Sequence, residues 1–201
     1  MKLILLACSG KKAPGGVPDH PPSRLKTTLS PAAYKQLKSA RQELKAILKE
    51  GSDPTLGIDK AGEKRYQPAY QRYQGFLYLF SDFYHLFPKF DGRVLVFSAM
   101  YGLLDAGDYL RNYNLRWADT LPNRQRVDAF WKQHRLRDII VECITSIGAD
   151  EIHDLLPEKY RSVLGPWPDP QFANYKTYTF PAAGQGTGFE RATALKSLLT
   201  P

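Results

Sequence analysis

The amino-acid sequence predicts an α/β fold, a single domain over residues 1–201 with a mixed, mainly parallel sheet flanked by helices. Two short segments, 2–8 and 92–99, are almost continuously apolar, which is typical of strands covered on both faces. Helical patterns lie between the predicted strands, and this alternation favours parallel pairing. The chain has 201 residues, of which 43% are hydrophobic, so it is long enough to bury one core.

Local signals place the elements along the chain. Clusters of Pro and Gly indicate loops, helical periodicity of apolar residues indicates helices, and short apolar runs indicate strands. In chain order we predict a strand at 2–8, a loop at 13–29, a helix at 31–50, a polar loop at 51–65, a helix at 68–83, a strand at 92–99, a structured loop or short helix at 100–115, helices at 121–134 and 136–147, strands at 150–156 and 175–180, and a closing helix at 189–199.

The net charge of +8 favours a polyanionic partner such as nucleic acid or a nucleotide, although a basic surface can also serve solubility alone. No window approaches the roughly 18 apolar residues of a membrane helix. The apolar run before Cys8 is shorter than the core of about 7–15 residues in a signal peptide. Because Cys8 and Cys143 are too few for a disulfide scaffold, we expect a cytoplasmic protein with reduced thiols and no membrane partner.

Polar residues follow both strong strands. Ligands of α/β proteins collect beyond the carboxyl ends of the strands. If the two strands are parallel neighbours, one crevice is lined by polar groups from both of them. Those residues are Cys8, Ser9, Lys11 and Lys12 at and beyond the end of the first strand, and Ser98, Tyr101 and Gly102 at and beyond the end of the second.

The chemistry of this crevice is open to more than one interpretation. A lysine such as Lys12 can hold a phosphate, or can attack a carbon atom once burial lowers its pKa. A thiol beside lysines, such as Cys8, is a candidate for thiolate reactivity. The alternative is that Cys8 is a small buried apolar residue and that the two lysines are solvated loop residues.

The predicted helix at 31–50 has a basic face opposite its apolar stripe. Lys35, Lys38, Lys45 and Lys49 share that face, with Arg41 beside them. Such a stripe can follow a phosphate backbone, but it is more often simply the solvated side of a helix.

Three further residues are candidates for the same region. Tyr73 lies in an aromatic segment and is a candidate for stacking on a base. Asp108 is either an acid/base group or a turn cap, and Tyr113 either contacts the ligand or packs in the core. The four histidines are scattered with no metal-ligand spacing, so we predict no metal and no cofactor.

Three blocks of the sequence are distinctive: the segment from Ser9 to Lys12, the segment "YQRYQGFLY" (70–78), and the segment "FSAMYGLLDAGDYLRNYNL" (97–115), which is the most specific. Together they resemble the YaaA family of bacterial peroxide-stress proteins. The resemblance implies a basic cleft, affinity for duplex DNA and a role in limiting oxidative damage.

The first block departs from the usual pattern of that family. It has "CSGKK" where the family typically has "SPAKT", and the chain is shorter than typical members. The spacing of Cys8 and Lys12 is also similar to a motif of archaeosine synthases, which implies a lysine that attacks a nitrile-bearing deazaguanine base.

Two functional hypotheses follow. The first is a cytoplasmic, oxidative-stress-type protein whose basic cleft binds nucleic acid or a nucleotide. The second is an enzyme that acts on a nucleobase, nucleoside or deazaguanine-type base, with Lys12, Cys8 and Asp108 as catalytic residues.

Overall fold

The computed structural model describes residues 1–51, 56–58, 65–180 and 185–200. The strands are β1 (Lys2–Ala7), β2 (Gly57–Ile58), β3 (Tyr66–Pro68), β4 (Gly92–Ser98), β5 (Gly102–Asp105), β6 (Tyr109–Arg111), β7 (Tyr113–Asn114), β8 (Glu151–Asp154) and β9 (Tyr175–Thr177). The helices are α1 (Leu25–Thr28), α2 (Pro31–Glu50), α3 (Ala69–Arg72), α4 (Phe76–Phe80), α5 (Phe83–Leu86), α6 (Val127–Gln133), α7 (Leu136–Ile147), α8 (Glu158–Leu164) and α9 (Gln185–Leu199), and a 3-10 turn spans Phe87–Lys89.

Five of these strands form one sheet in the order β5-β4-β1-β8-β9. β1 pairs in parallel with both β4 and β8, and β8 pairs in parallel with β9. Among the described residues of this sheet, the β4–β5 pair alone is antiparallel. The predicted α/β class with a mixed, mainly parallel sheet is therefore confirmed.

The central strands are apolar because both of their faces are covered. Every β1 residue from Leu3 to Ala7 is buried, as is every β4 residue from Val94 to Ser98. Since consecutive side chains of a strand point to opposite faces, this pattern requires packing against both sides of the sheet.

Helix α2 begins and packs as its sequence predicts. The Ser30 hydroxyl accepts a hydrogen bond from the Ala33 amide at 3.2 Å, and Pro31 occupies the first turn. Its apolar stripe includes the fully buried Leu37 and Leu44, and the helix packs against α7 and β5. The opposite face is therefore free to present its basic side chains.

The single helix predicted at 68–83 is wrong, because the chain divides there into α3, α4 and α5. Between α3 and α4, Tyr73 forms a β-bridge with Lys12 and the Gln74 amide donates to the Lys11 carbonyl at 2.9 Å. At Gly75 a Cβ atom would lie 2.4 Å from Ser9 Oγ, so glycine permits this close approach. Pairing with the segment after β1 thus overrides the helical periodicity.

The loop or short helix predicted at 100–115 is also wrong. This segment turns back on β4 as β5 and continues into β6 and β7, which pair with β3 and β2 respectively. Gly102 has a φ of +68° at the reversal, a conformation that glycine adopts without steric cost.

Other predicted boundaries shift by several residues. Residues 121–126 precede α6 instead of belonging to it, α1 lies inside the predicted loop at 13–29, and β9 ends at Thr177. Most of the loop predicted at 51–65 lies outside the described residues. Among the described helices, none combines the length and apolarity needed to cross a bilayer.

Candidate functional site

The carboxyl ends of β1 and β4 lie side by side. Ala7 is paired with Phe97, and the Cys8 amide donates to the Phe97 carbonyl at 2.9 Å. Ser98 follows Phe97 directly, so the polar residues after both strands lie at one edge of the sheet. The two strands are therefore the parallel neighbours that the predicted crevice requires.

A buried chain of hydroxyl groups occupies this edge. The hydroxyl oxygens of Tyr73 and Tyr113 are 2.9 Å apart, and that of Tyr113 is 3.0 Å from Ser98 Oγ. Ser98 Oγ also accepts a hydrogen bond from the Tyr101 amide at 3.1 Å. Burial raises the pKa of both Tyr73 and Tyr113 well above the usual tyrosine value, so both hydroxyls stay neutral.

The Lys12 ammonium sits against this aromatic group. Its Nζ atom lies 3.9 Å from the ring centroid of Tyr113 and 6.0 Å from that of Tyr73, which is cation–π geometry for the nearer ring. Burial lowers the pKa of Lys12 to about 8; the Cys8 thiol opposes the shift and the Arg72 guanidinium adds to it. A substantial fraction of Lys12 is therefore an uncharged amine at mildly alkaline pH.

The neighbouring residues of the first block have separate positions. Cys8 is half-buried, with its Sγ atom 3.8 Å from the Tyr160 hydroxyl. Ser9 Oγ donates to the Lys11 carbonyl at 2.8 Å and accepts from the Lys11 amide at 3.1 Å, so Ser9 fixes the turn after β1. The Lys11 side chain is exposed. Cys8 and Ser9 line a small cavity of about 220 Å³ on their other side.

Asp108 is buried and its carboxylate is held by several donors. It accepts hydrogen bonds from the Ser23 hydroxyl at 2.8 Å, the Arg24 amide at 2.7 Å and the Asp105 amide at 3.0 Å. Burial raises its pKa and the nearby Asp105 adds to that effect. These contacts tie the loop before α1 to the turn after β5. They are the contacts of a turn cap, one of the two roles that the sequence left open for Asp108.

A larger cavity of about 580 Å³ lies beside the hydroxyl chain, between α2, β6 and the loop before α1. Five of its described lining residues are lysine or arginine and one, Asp108, is acidic. Tyr101 belongs to both regions, because it lines the cavity while its ring lies 5.6 Å from the Tyr113 ring. The basic residues of the lining are Lys38, Arg41, Lys45, Lys49 and Arg111.

Comparison with known proteins supports the resemblance on which the sequence hypotheses depend. The family model described as Peroxide stress protein YaaA matches residues 3–189. The chain belongs to the YaaA family. A search of curated proteins finds no match. The family match covers β1, the β4–β5 reversal and the cavity, and thus all of the candidate residues.

The α2 wall of the cavity gives this YaaA family member a concentrated positive charge. Arg41 donates to the carbonyls of Tyr101 at 2.9 Å and Leu103 at 2.6 Å, which fixes its guanidinium over the Tyr101 ring. Lys45 Nζ lies 5.9 Å from the same ring. Burial lowers the pKa of Lys45, and the adjacent cations Arg41, Arg111 and Lys49 lower it further. Within the described residues, the Lys45 ammonium has no carboxylate partner.

Most of the predicted residues thus form two adjoining groups, whereas Cys8, Ser9 and Lys11 belong to neither. Lys12, Tyr73, Ser98, Tyr101 and Tyr113 make one contiguous cluster. Lys38, Lys45 and Lys49 line the cavity, whereas Lys35 on the same helix is outside its lining. Gly102 serves the reversal between strands, with Trp131 packed against its backbone.

Sequence reasoning missed the other walls of the cavity. Arg41 was placed beside the basic stripe without a role in ligand binding, and His20, Tyr109 and Arg111 were not considered as ligand contacts. The alternation of Tyr109 and Arg111 around the buried Leu110 is a strand signal that could have identified this wall. In the described part of the chain, no three His, Cys, Asp or Glu side chains are grouped where they could share a metal ion.

Proposed function

We propose that this YaaA family member is a cytoplasmic nucleic-acid-binding protein of the peroxide-stress response, and that it holds phosphate groups at the α2 wall of the cavity. The observation that carries the proposal is Lys45, a half-buried cation with the like-charged Arg41 and Lys49 one turn away on either side of it in α2. A solvated helix face would spread its charges, or pair them with carboxylates, because like charges at neighbouring positions are destabilising. A bound phosphate would neutralise this cluster.

The cytoplasmic location in the proposal is supported by the thiols. Cys8 and Cys143 are both free. Free thiols are typical of a reducing compartment.

The test is duplex DNA binding measured by fluorescence anisotropy at several salt concentrations. We expect the logarithm of the association constant to fall linearly with the logarithm of salt concentration, because bound phosphates release counterions. Lys45→Gln is expected to reduce the magnitude of that slope by about 0.9, the value for one phosphate contact.

Two comparison variants give the test its specificity. Lys35→Gln is expected to change the slope less than Lys45→Gln, since Lys35 is outside the lining. Lys132→Gln, on the exposed side of α6, is the control and is expected to bind as the unchanged protein does. Binding that is absent at low salt, or that does not respond to salt, contradicts the proposal.

The Lys12 cluster favours a second candidate function, an enzyme that acts on a nucleobase, nucleoside or deazaguanine-type base. In this candidate, the uncharged Lys12 amine adds to the nitrile carbon of a deazaguanine-type base, one π bond of the nitrile breaks, and the nitrile nitrogen takes up the proton that the amine loses, which gives an amidine. Cys8 assists, and Ser98 and Tyr101 position the ligand. The lowered pKa of about 8 is the supporting observation, since a buried lysine with such a pKa is a usable nucleophile at physiological pH.

This candidate is tested by the pH dependence of Lys12 acetylation, followed by mass spectrometry of its peptide. We expect the rate to level off above an inflection near pH 8, because only the uncharged amine reacts. A rate that still rises steeply at pH 10 means that Lys12 is an ordinary solvated lysine. Loss of the modified peptide in Lys12→Arg confirms the assignment of the signal.

A further inference from the structure

The large cavity has a second wall that is aromatic instead of basic. The His20 ring lies 4.2 Å from the Tyr66 ring centroid and 6.4 Å from that of Tyr109, with an angle of 18° between the His20 and Tyr109 planes. All three side chains line the cavity. They come from the loop before α1, from β3 and from β6.

The strand pairing explains why this wall faces the cavity. β3 and β6 are antiparallel, with Tyr66 opposite Arg111 and Pro68 opposite Tyr109. Side chains of directly opposed residues, and of residues two apart on one strand, share a face of a sheet. Tyr66, Tyr109 and Arg111 therefore point the same way, while Leu110 between them is buried in the core.

The two walls differ in what they can bind. The α2 wall carries Lys38, Lys45 and Lys49, whose ammonium groups have no hydrogen-bond or ion-pair partner among the described residues. Lysine ammonium groups of this kind hold phosphates. Aromatic side chains provide faces on which a nucleobase stacks. Both walls border one space of about 580 Å³, within the range of about 300–1,000 Å³ usual for small-ligand sites.

We infer that this cavity binds one phosphorylated nucleoside, with its base against His20, Tyr66 and Tyr109 and its phosphate at Lys45 and the neighbouring lysines. The inference rests on the proposed function and specifies what the site accepts. The ligand is either a free mononucleotide or a single nucleotide of a nucleic-acid strand, since both present the same base and phosphate.

The experiment measures the binding of 5′-mononucleotides to the full chain by isothermal titration calorimetry. Inorganic phosphate and the matching nucleosides are titrated as the two halves of the ligand. We expect at least one mononucleotide to bind tenfold or more tightly than either half, because both walls contribute. Equal affinity for mononucleotides and phosphate would overturn the inference.

Substitutions in the aromatic wall locate the binding. His20→Ala and Tyr109→Leu are each expected to weaken mononucleotide binding by between about 5-fold and 100-fold, the usual effect of losing a stacking partner. Tyr84→Ala, an exposed aromatic residue outside the cavity lining, is the matched control. If Tyr109→Leu fails to fold, His20→Ala still decides, since His20 is an exposed loop residue. Unchanged binding in the folded aromatic variants overturns the inference.

A single-stranded oligonucleotide distinguishes the two sources of the ligand. Equal losses for oligonucleotide and mononucleotide in His20→Ala indicate a nucleotide within a strand, whereas a loss confined to the mononucleotide indicates a free nucleotide. Either result supports the site. Duplex DNA binding without any mononucleotide binding overturns this inference and leaves the proposed function standing, whereas absence of duplex binding overturns the proposed function.

Discussion

Tyr113 is the residue that joins the parts of the candidate site. Its hydroxyl lies between those of Tyr73 and Ser98, its ring contacts the Lys12 ammonium, and the same ring forms a T-shaped pair with the Tyr101 ring. It is almost fully buried, so the hydroxyl has no water to replace a lost partner. The position of Lys12 therefore depends on a side chain that belongs to the core.

Tyr113→Phe tests this arrangement. Removing the hydroxyl leaves the buried Tyr73 hydroxyl without its partner, which is expected to lower the free energy of unfolding by about 1–3 kcal/mol. Urea unfolding measures the change. Tyr84→Phe, at an exposed position, is the control and is expected to stay within about 0.5 kcal/mol of the unchanged protein. If both variants unfold alike, the hydroxyl chain does not stabilise the fold.

The same variant separates the two roles of Tyr113. Phenylalanine keeps the ring on which Lys12 rests, so we expect the inflection of Lys12 acetylation to remain near pH 8. A shift of that inflection toward 10.5, the ordinary value, would mean that the hydroxyl and not the burial sets the pKa of Lys12.

Individual site residues were predictable where a strand delivers them directly. Ser98 ends β4 and Lys12 follows β1, and both strands have unambiguous apolar runs, so the shared edge of these two residues could be inferred from strand pairing. The contacts of Tyr113 were not predictable, because they depend on a strand pair, β2 with β7, whose partners lie far apart in the sequence. The wall formed by Tyr66 and Tyr109 was not predictable for the same reason, because it depends on the pairing of β3 with β6.

At the scale of elements, sequence periodicity failed where a segment pairs with a distant strand end. The aromatic residues from Tyr70 to Phe83 have helical spacing, yet Tyr73 is extended because it bridges to Lys12. The antiparallel return of β5 was missed for a related reason, since its apolar residues are also compatible with a buried helix. By contrast, α2 has a cap, a proline and a long stripe, and was predicted over its full length.

The reversal between β4 and β5 depends on Gly102, and Gly102→Ala tests it. Alanine at a φ of +68° costs about 1–2 kcal/mol. Its Cβ would also lie 2.7 Å from Cζ3 of Trp131, whose ring is fixed by a hydrogen bond to the Ala99 carbonyl at 2.7 Å. Forcing such contacts in a packed core adds about 1–3 kcal/mol.

Gly148→Ala is the matched control for this clash. Gly148 has a φ of +61° at the end of α7, but a Cβ there has open space around it. We therefore expect Gly102→Ala to lower the free energy of unfolding by about 1–3 kcal/mol more than Gly148→Ala in urea unfolding. Equal losses would show that Trp131 moves aside and that only the backbone conformation matters.

At the scale of the whole molecule, the net charge of +8 is unevenly distributed. Among the described residues, the lining of the cavity between α2 and β6 has five cationic side chains and one carboxylate, which is buried. Concentrated charge of one sign raises the free energy of the unliganded fold, and functional sites commonly carry such a cost. Removing one cation from such a binding cluster should therefore stabilise the fold, whereas removing one from an ordinary solvated helix face should not.

Lys45→Met is the corresponding prediction. Lys45 has like-charged neighbours four residues away on both sides, Arg41 and Lys49, and each such pair costs about 0.2–0.5 kcal/mol. Without ligand and at low salt, we therefore expect Lys45→Met to raise the free energy of unfolding by about 0.4–1 kcal/mol. The same variant is expected to bind duplex DNA less tightly.

The dependence on salt and pH shows whether this gain in the free energy of unfolding is electrostatic. The pKa of Lys45 is lowered in the folded protein from 10.5, so the fold binds this proton less tightly than the unfolded chain does. The destabilisation by Lys45 is thus fully present below the pKa that Lys45 has in the folded protein, and it declines as the pH rises from that value toward 10.5. The gain in the free energy of unfolding of Lys45→Met should therefore shrink over the same pH interval. It should also shrink at high salt.

Lys132→Met is the control, since its neighbour one turn earlier is Asp128 and no gain is expected. If the gain in the free energy of unfolding of Lys45→Met persists at high salt and high pH, apolar packing is its cause. The concentrated charge of the α2 wall would then no longer support a phosphate site there.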